Sequence, residues 1–145
     1  MPEKKKVTEL KVIAPFAVYL PRKTVKDKRI PVNLNWLRNA QYFEVNQVKK
    51  LYKELVRGQF DNLLLETPIT VSYQVFKPTK RRLDKQNVTS ITAKFLLDAL
   101  TECGVIPDDN DDYIKDEWIK PTVHDKGNER VEVLFKSVSK TTRGD

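Results

Sequence analysis

Asp84, Asp108 and Asp109 are the residues of this chain whose types and spacing point most directly to chemistry. Carboxylates take hard divalent cations, magnesium first among them, together with water. Other donor sets are nearly excluded, because one histidine, His124, and one cysteine, Cys103, are too few for a zinc cage. Asp84 directly follows the basic run Lys77-Pro78-Thr79-Lys80-Arg81-Arg82-Leu83, while Asp108 and Asp109 follow Gly104-Val105-Ile106-Pro107. If a helix between them packs antiparallel to its flanking strands, these carboxylates are expected to converge at one sheet edge beside the basic run. Two ions held there would activate a water and stabilise the leaving oxygen of a phosphodiester. The same reasoning puts Lys94 near the site. Plainer readings stand beside these. Asp at a helix N-terminus is commonly a cap, acidic loops are commonly solvated surface, and Lys94 and Asp98 have the four-residue spacing of an ordinary surface ion pair. His124 falls in a polar loop and reads as surface.

The charge is divided along the chain. The 145 residues carry a formal charge of +7, but residues 1–83 hold 18 Lys and Arg against 7 Asp and Glu, net +11. Residues 84–145 hold 9 against 13, net −4. A uniformly basic protein would suggest plain phosphate-backbone binding; a basic half joined to an acidic cluster suggests that cations are wanted at one place. The six residues Lys77–Arg82 include four cations and read as a phosphate contact. Trp36 and Trp118 could stack on bases, although core or interface packing is the commoner use of such residues.

The elements that must position these groups follow from periodicity. Length and a hydrophobic fraction of 39% fit one domain with a single core. No apolar run approaches the ~18 residues of a transmembrane helix, and no signal-peptide core follows Lys4-Lys5-Lys6, so a soluble intracellular protein is expected. Residues 1–6 and 139–145 read as flexible tails. Leu10–Tyr19 reads as a first strand and Pro21–Pro31 as a basic loop. From Asn39, Ala40, Phe43, Val48, Leu51, Tyr52 and Leu55 suggest one helical stripe ended by Gly58. Ile69, Val71, Tyr73 and Val75 alternate with polar residues as a strand. A second helix is expected from Thr89 or Ser90, burying Ile91, Phe95, Leu96, Ala99, Leu100 and Cys103 and stopping at Gly104. Tyr113–Lys120 and Arg130–Val138 read as two further strands. The expected order is β-α-β-α-β-β, an α/β or α+β fold in which helices pack on one mixed sheet.

Three blocks in order carry a resemblance: Arg81-Arg82-Leu83-Asp84-Lys85-Gln86-Asn87-Val88, Lys94-Phe95-Leu96-Leu97-Asp98-Ala99-Leu100 and Gly104-Val105-Ile106-Pro107-Asp108-Asp109. Together they resemble the RusA-like Holliday junction resolvases common in phages and prophages, over roughly Arg81 to Tyr113. Asn33-Leu34-Asn35-Trp36-Leu37-Arg38-Asn39 followed by a Lys-rich helix looks like the start of phage members. The resemblance implies a homodimeric endodeoxyribonuclease, dependent on magnesium or on manganese in its place. It would cut four-way junction DNA symmetrically in recombination and repair, in the cytoplasm of a bacterial host cell. Carried over, Asp84 matches the first family Asp and Asp109 the second of the Asp-Asp pair, both metal-binding and catalytic, with Asp108 beside it. Lys94 matches a helix Lys that supports the site, Asn87 the Asn of the first motif, and Asp98 the Asp of Asp-Ala-Leu. Lys77, Lys80, Arg81, Arg82 and Arg38 would hold phosphates.

One departure stands out. Gln86 occupies the position of a second Asp, and a neutral amide in the metal-ligand position removes one negative charge, which weakens divalent binding. Three outcomes stay open: Asp108 compensates, turnover is reduced, or the protein keeps branched-DNA binding while losing most cleavage. The spacing from Asn87 to Lys94 is also longer than in the shortest members.

Overall fold

The computed structural model describes residues 3–138. In chain order the elements are β1 (Lys5–Val7), β2 (Glu9–Ala14), β3 (Ala17–Leu20), β4 (Lys28–Pro31), α1 (Leu34–Asn39), α2 (Tyr42–Val56) and a single 3-10 turn (Arg57–Gln59). β5 (Leu63–Leu65), β6 (Ile69–Lys77), α3 (Lys85–Glu102), β7 (Ile114–Ile119), β8 (Val123–His124) and β9 (Arg130–Ser137) follow. The main sheet has the order β2-β9-β6-β7, with β8 beside the far end of β6. β6 and β7 run parallel and the pairs with β9 are antiparallel, so the sheet is mixed. Stripped to β2, α2, β6, α3, β7 and β9, the chain follows the expected β-α-β-α-β-β order in an α+β fold. No described helix is long and apolar enough to cross a membrane.

Period-two patterning builds the sheet. Leu10, Val12 and Ala14 of β2 lie opposite Phe135, Val133 and Val131 of β9, which in turn face Val71, Tyr73 and Val75 of β6. These nine side chains are buried and give three rungs of one apolar face. Lys11, Ile13, Gln74, Glu132 and Lys136 alternate with them on the other face. Burying each branched or aromatic residue is worth roughly 1.5–3 kcal/mol, so a one-residue slip of β9 would forfeit the entire face.

Helices cover that face. α2 buries Val48, Tyr52 and Val56, an i, i+4, i+8 row. Phe43 and Leu55, expected on the buried stripe, are exposed. The helix starts at Tyr42, three residues later than expected, and Phe43 falls on the side opposite Val48 and Tyr52. α3 buries Val88, Ile91, Phe95, Leu96, Ala99 and Leu100 as its periodicity requires. The Phe95 ring meets Tyr52 at 5.5 Å and Trp36 at 6.2 Å between centroids, both edge-on, so three aromatics fasten α1, α2 and α3 together. Trp36 is therefore a packing residue; Trp118 is exposed on β7. The fully buried Tyr52 hydroxyl lies beside Thr92, which donates instead to the Val88 carbonyl. Burial pushes the Tyr52 phenol well above its ordinary range, so it stays protonated.

Several boundaries differ from expectation. The first strand is two, because Pro15-Phe16 breaks the run and sends β2 to the main sheet and β3 to a hairpin with β4. The expected basic loop thus ends in a strand. Lys5–Val7 is no frayed tail: it pairs in parallel with Leu63–Leu65, and the Lys4 ammonium donates to the Cys103 carbonyl at the C-terminus of α3. A cation there complements the helix dipole. Residues 139–145, expected as the other tail, lie outside the described residues. α3 begins at Lys85, a full turn before Thr89 and Ser90. Asp84 caps it, its Oδ1 accepting the Gln86 N–H at 3.1 Å, whereas the Ser90 hydroxyl donates back to the Gln86 carbonyl as an interior helical serine does. Gly104, at φ +72°, ends α3 in the left-handed conformation that closes its last turn.

Candidate functional site

α3 carries or borders almost every residue singled out above, and it separates them into two groups. Its 18 residues span about 27 Å at 1.5 Å per residue. Because β6 and β7 are parallel, the end of β6 and the start of β7 lie at opposite ends of the sheet. Asp84 follows the first and Asp108 and Asp109 precede the second. The expected convergence of Asp84 with Asp108 and Asp109 therefore does not occur within one chain. Lys94 is displaced for a related reason. With α3 starting at Lys85, Lys94 lies about 15 Å along the axis from Asp84, not in the first turn beside it.

The N-terminal group is basic and open. Lys80, Arg81, Arg82, Asp84 and Gln86 are exposed, and Asn87 is half-buried. Lys77, the last residue of β6, donates through Nζ to the Arg81 carbonyl at 3.0 Å, and the Arg81 N–H donates to Thr79 Oγ1 at 3.3 Å. Lys77 thus orders the loop and leaves Lys80, Arg81 and Arg82 pointing to solvent. None of the three forms an ion pair among the described residues. Arg38, exposed in the last turn of α1, is likewise free of ion pairs among them. Gln86, Thr89 and Ser90 face Tyr73, Glu117 and Trp118 across a cavity of about 330 Å³. There the Tyr73 hydroxyl donates to Glu117 Oε2 at 2.5 Å. Burial, reinforced by that bond and by the Glu117 charge, pushes the Tyr73 phenol far up, so it is a fixed donor.

The C-terminal group is acidic and cross-tied. Asp98 Oδ2 lies 3.7 Å from Lys49 Nζ, and Glu102 Oε1 lies 3.3 Å from Lys53 Nζ. These cross-helix pairs replace the expected Lys94–Asp98 pair, and Lys94 stands exposed one turn before Asp98. Asp108 Oδ1 accepts the Asp109 N–H at 2.8 Å. The Asp109 carboxyl is held above the usual range by partial burial, by its hydrogen bond to Asp108 and by the charges of Asp108 and Asp98. Asp98 near the end of the helix and the hydrogen-bonded Asp108 and Asp109 beyond it thus add negative charge where the dipole is already negative.

These donors are hard oxygens and suit magnesium in kind, but their placement in one chain does not. No group of three or more His, Cys, Asp or Glu is gathered as a metal cage among the described residues. Three participants are not singled out by sequence alone. Lys49 and Lys53 repeat the four-residue spacing of Asp98 and Glu102, a legible signal, whereas for Glu117 the sequence offers nothing beyond its charge. His124 is exposed on β8, as a surface residue should be. No protein-family model matches this sequence, and no curated protein matches it.

Proposed function

We propose that the protein binds branched DNA through Lys80, Arg81, Arg82 and Arg38, and that it is a magnesium-dependent endonuclease of the RusA-like, junction-resolving kind. One observation carries the reading: three exposed cations with no ion pair among the described residues lead, through Leu83, into Asp84 at the N-terminus of an 18-residue helix. A helix N-terminus flanked by cations is a natural seat for phosphate. The separation of the two carboxylate groups adds a condition. A metal that uses both Asp84 and Asp109 must take them from two chains, so the active form is a homodimer in which one subunit supplies Asp84 and Gln86 and the other Asp108 and Asp109. On this reading it acts on recombination intermediates in the cytoplasm of a bacterial cell.

A second reading has its own support in Gln86 and in the absence of a gathered carboxylate cage among the described residues: a branched-DNA-binding protein that does not cut. A synthetic four-way junction and a linear duplex, each with magnesium and with EDTA, separate the two. Paired, symmetric, magnesium-dependent nicks lost in both Asp84→Asn and Asp109→Asn are expected. Junction binding that survives EDTA with no cleavage in any divalent metal would leave the second reading, and no DNA binding at low salt would end both.

A further inference from the structure

The β3–β4 hairpin and the start of α2 form a second basic surface, which borders α1 and its Arg38 and carries none of the residues around α3. The eight residues Arg22–Arg29 contain Arg22, Lys23, Lys26, Lys28 and Arg29 against the single Asp27, and all eight are exposed. Lys28 is neutralised, its Nζ 2.6 Å from Glu44 Oε1. Arg22 Nε donates to the Lys26 carbonyl at 2.7 Å, which fixes the tip without cancelling charge. Among the described residues Arg22, Lys23, Lys26 and Arg29 have no acidic partner.

Aromatic surface accompanies that charge. Glu44 ties α2 to the hairpin and to α1, binding Lys28 of β4 through one oxygen and accepting the indole N–H of Trp36 in α1 through the other at 2.8 Å. These bonds, with the indole contribution second to that of Lys28, hold the Glu44 carboxyl below its usual range. The bracing keeps the first turn of α2 beside β4, and that turn presents Tyr42 and Phe43, 82% and 71% exposed. Tyr19, on β3 opposite Arg29, is 54% exposed. A concavity of about 400 Å³ lies between β4 and α1, lined by Arg29, Asn33, Asn35, Trp36 and Asn39 among others, with Glu44 from α2. Two bulky aromatics left largely in water at the head of a helix contribute little to packing, and the Lys28–Glu44 bridge joins the basic hairpin to that same turn.

Phosphates on a basic track with bases stacked on exposed rings is the chemistry of single-stranded nucleic acid binding. We infer that this surface holds a single-stranded DNA segment, with bases on Tyr42 and Phe43 and backbone phosphates on Arg22, Lys23, Lys26 and Arg29. Duplex DNA offers the cations its phosphates but keeps its bases stacked inside, so the two rings give the surface its preference for unpaired strands. The inference goes beyond the cutting reaction and does not depend on it: a protein that never cleaves can still have this surface.

The test is fluorescence anisotropy in EDTA with a labelled oligothymidylate and a duplex of equal length, over a series of salt concentrations. Wild-type protein should bind the single strand at low salt. Tyr42→Ala and Phe43→Ala should each weaken that binding about tenfold while leaving duplex binding within twofold. Replacing Arg22, Lys23, Lys26 and Arg29 by Ala should flatten the salt dependence by roughly 0.7 in log–log slope per phosphate lost. Phe43→Trp should restore affinity and show indole quenching when the strand binds. Both ring positions are solvent-exposed, and circular dichroism will verify the fold of every variant. The inference fails if wild-type protein does not bind the single strand, if the ring variants weaken both DNAs equally or neither, or if they alter only self-association. Junction cleavage by a protein failing this test would leave the endonuclease reading standing, and single-strand binding by a protein that never cuts would do the reverse.

Discussion

At its N-terminal end α3 meets a single carboxylate and a loop whose cations have no ion pair among the described residues; at its C-terminal end it carries Asp98 and Glu102, cross-tied to α2, and is followed by Asp108 and Asp109. Stability alone explains the first end well. Asp84 caps the helix and places negative charge at the positive end of the dipole. The second end runs against the dipole, and α2 offsets it with Lys49 and Lys53. One rigid element thus holds a cation-rich end and an anion-rich end apart by the length of the helix. A chain built in this way cannot bring both ends to one phosphate, whereas two chains packed head to tail can.

The largest expected effect comes from loosening what holds both ends. Phe95 packs on Trp36 and Tyr52 midway along α3, so Phe95→Ala should cost about 3–5 kcal/mol in a urea melt. On the proposed reading, junction binding at the cationic end and cleavage that needs the acidic end should then fall together. If stability drops but each end keeps its wild-type behaviour, the helix is not the common support.

A smaller effect separates cap from chemistry at Asp84. Asp84→Ala loses the hydrogen bond to the Gln86 N–H and should cost about 1 kcal/mol. Asp84→Asn keeps a good capping side chain, so stability should stay within about 0.5 kcal/mol of wild type while magnesium-dependent cleavage disappears. Equal loss of activity and stability in both variants would reduce Asp84 to a cap.

The smallest effect tests the acidic end. With its carboxyl raised by burial and by Asp108 and Asp98, Asp109 holds its proton more tightly in the folded than in the unfolded chain. Its contribution therefore lowers stability as pH rises from the usual carboxylate value through the raised one, and the penalty is complete above that window. Asp109→Asn should remove this acid-side slope and, near neutral pH, leave the melting temperature equal to or slightly above that of wild type. A variant that melts well below wild type at neutral pH would show Asp109 to be a stabilising residue.

Much of this molecule was legible in its sequence, and the illegible parts share a cause. Ile69–Lys77 and the buried row of α3 declare themselves because their periodicity is local. β1, β4 and β5 do not, since each is a strand only by virtue of its partner, β1 with β5 nearly sixty residues away. Lys5-Lys6 resembles a tail until Leu63-Leu64-Leu65 supplies its hydrogen bonds. The start of α3 was misplaced because Thr89 and Ser90 compete as caps on paper, while Asp84 has the backbone conformation for the role. The expected convergence within one chain fails for a topological reason. Asp84 and Asp109 stand 25 residues apart with a helix between them, and only the parallel pairing of β6 with β7 reveals that they occupy opposite ends.

That separation yields the most direct measurement. Asp84→Asn and Asp109→Asn subunits, differently tagged and co-expressed, are purified as the mixed dimer and given a four-way junction with magnesium. If each site takes Asp84 from one subunit and Asp109 from the other, the mixed dimer contains one intact site and one doubly broken site. It should nick single strands of the junction although neither variant alone does. A mixed dimer as inert as its parents, beside a wild-type protein that cuts, would contradict a site shared between subunits.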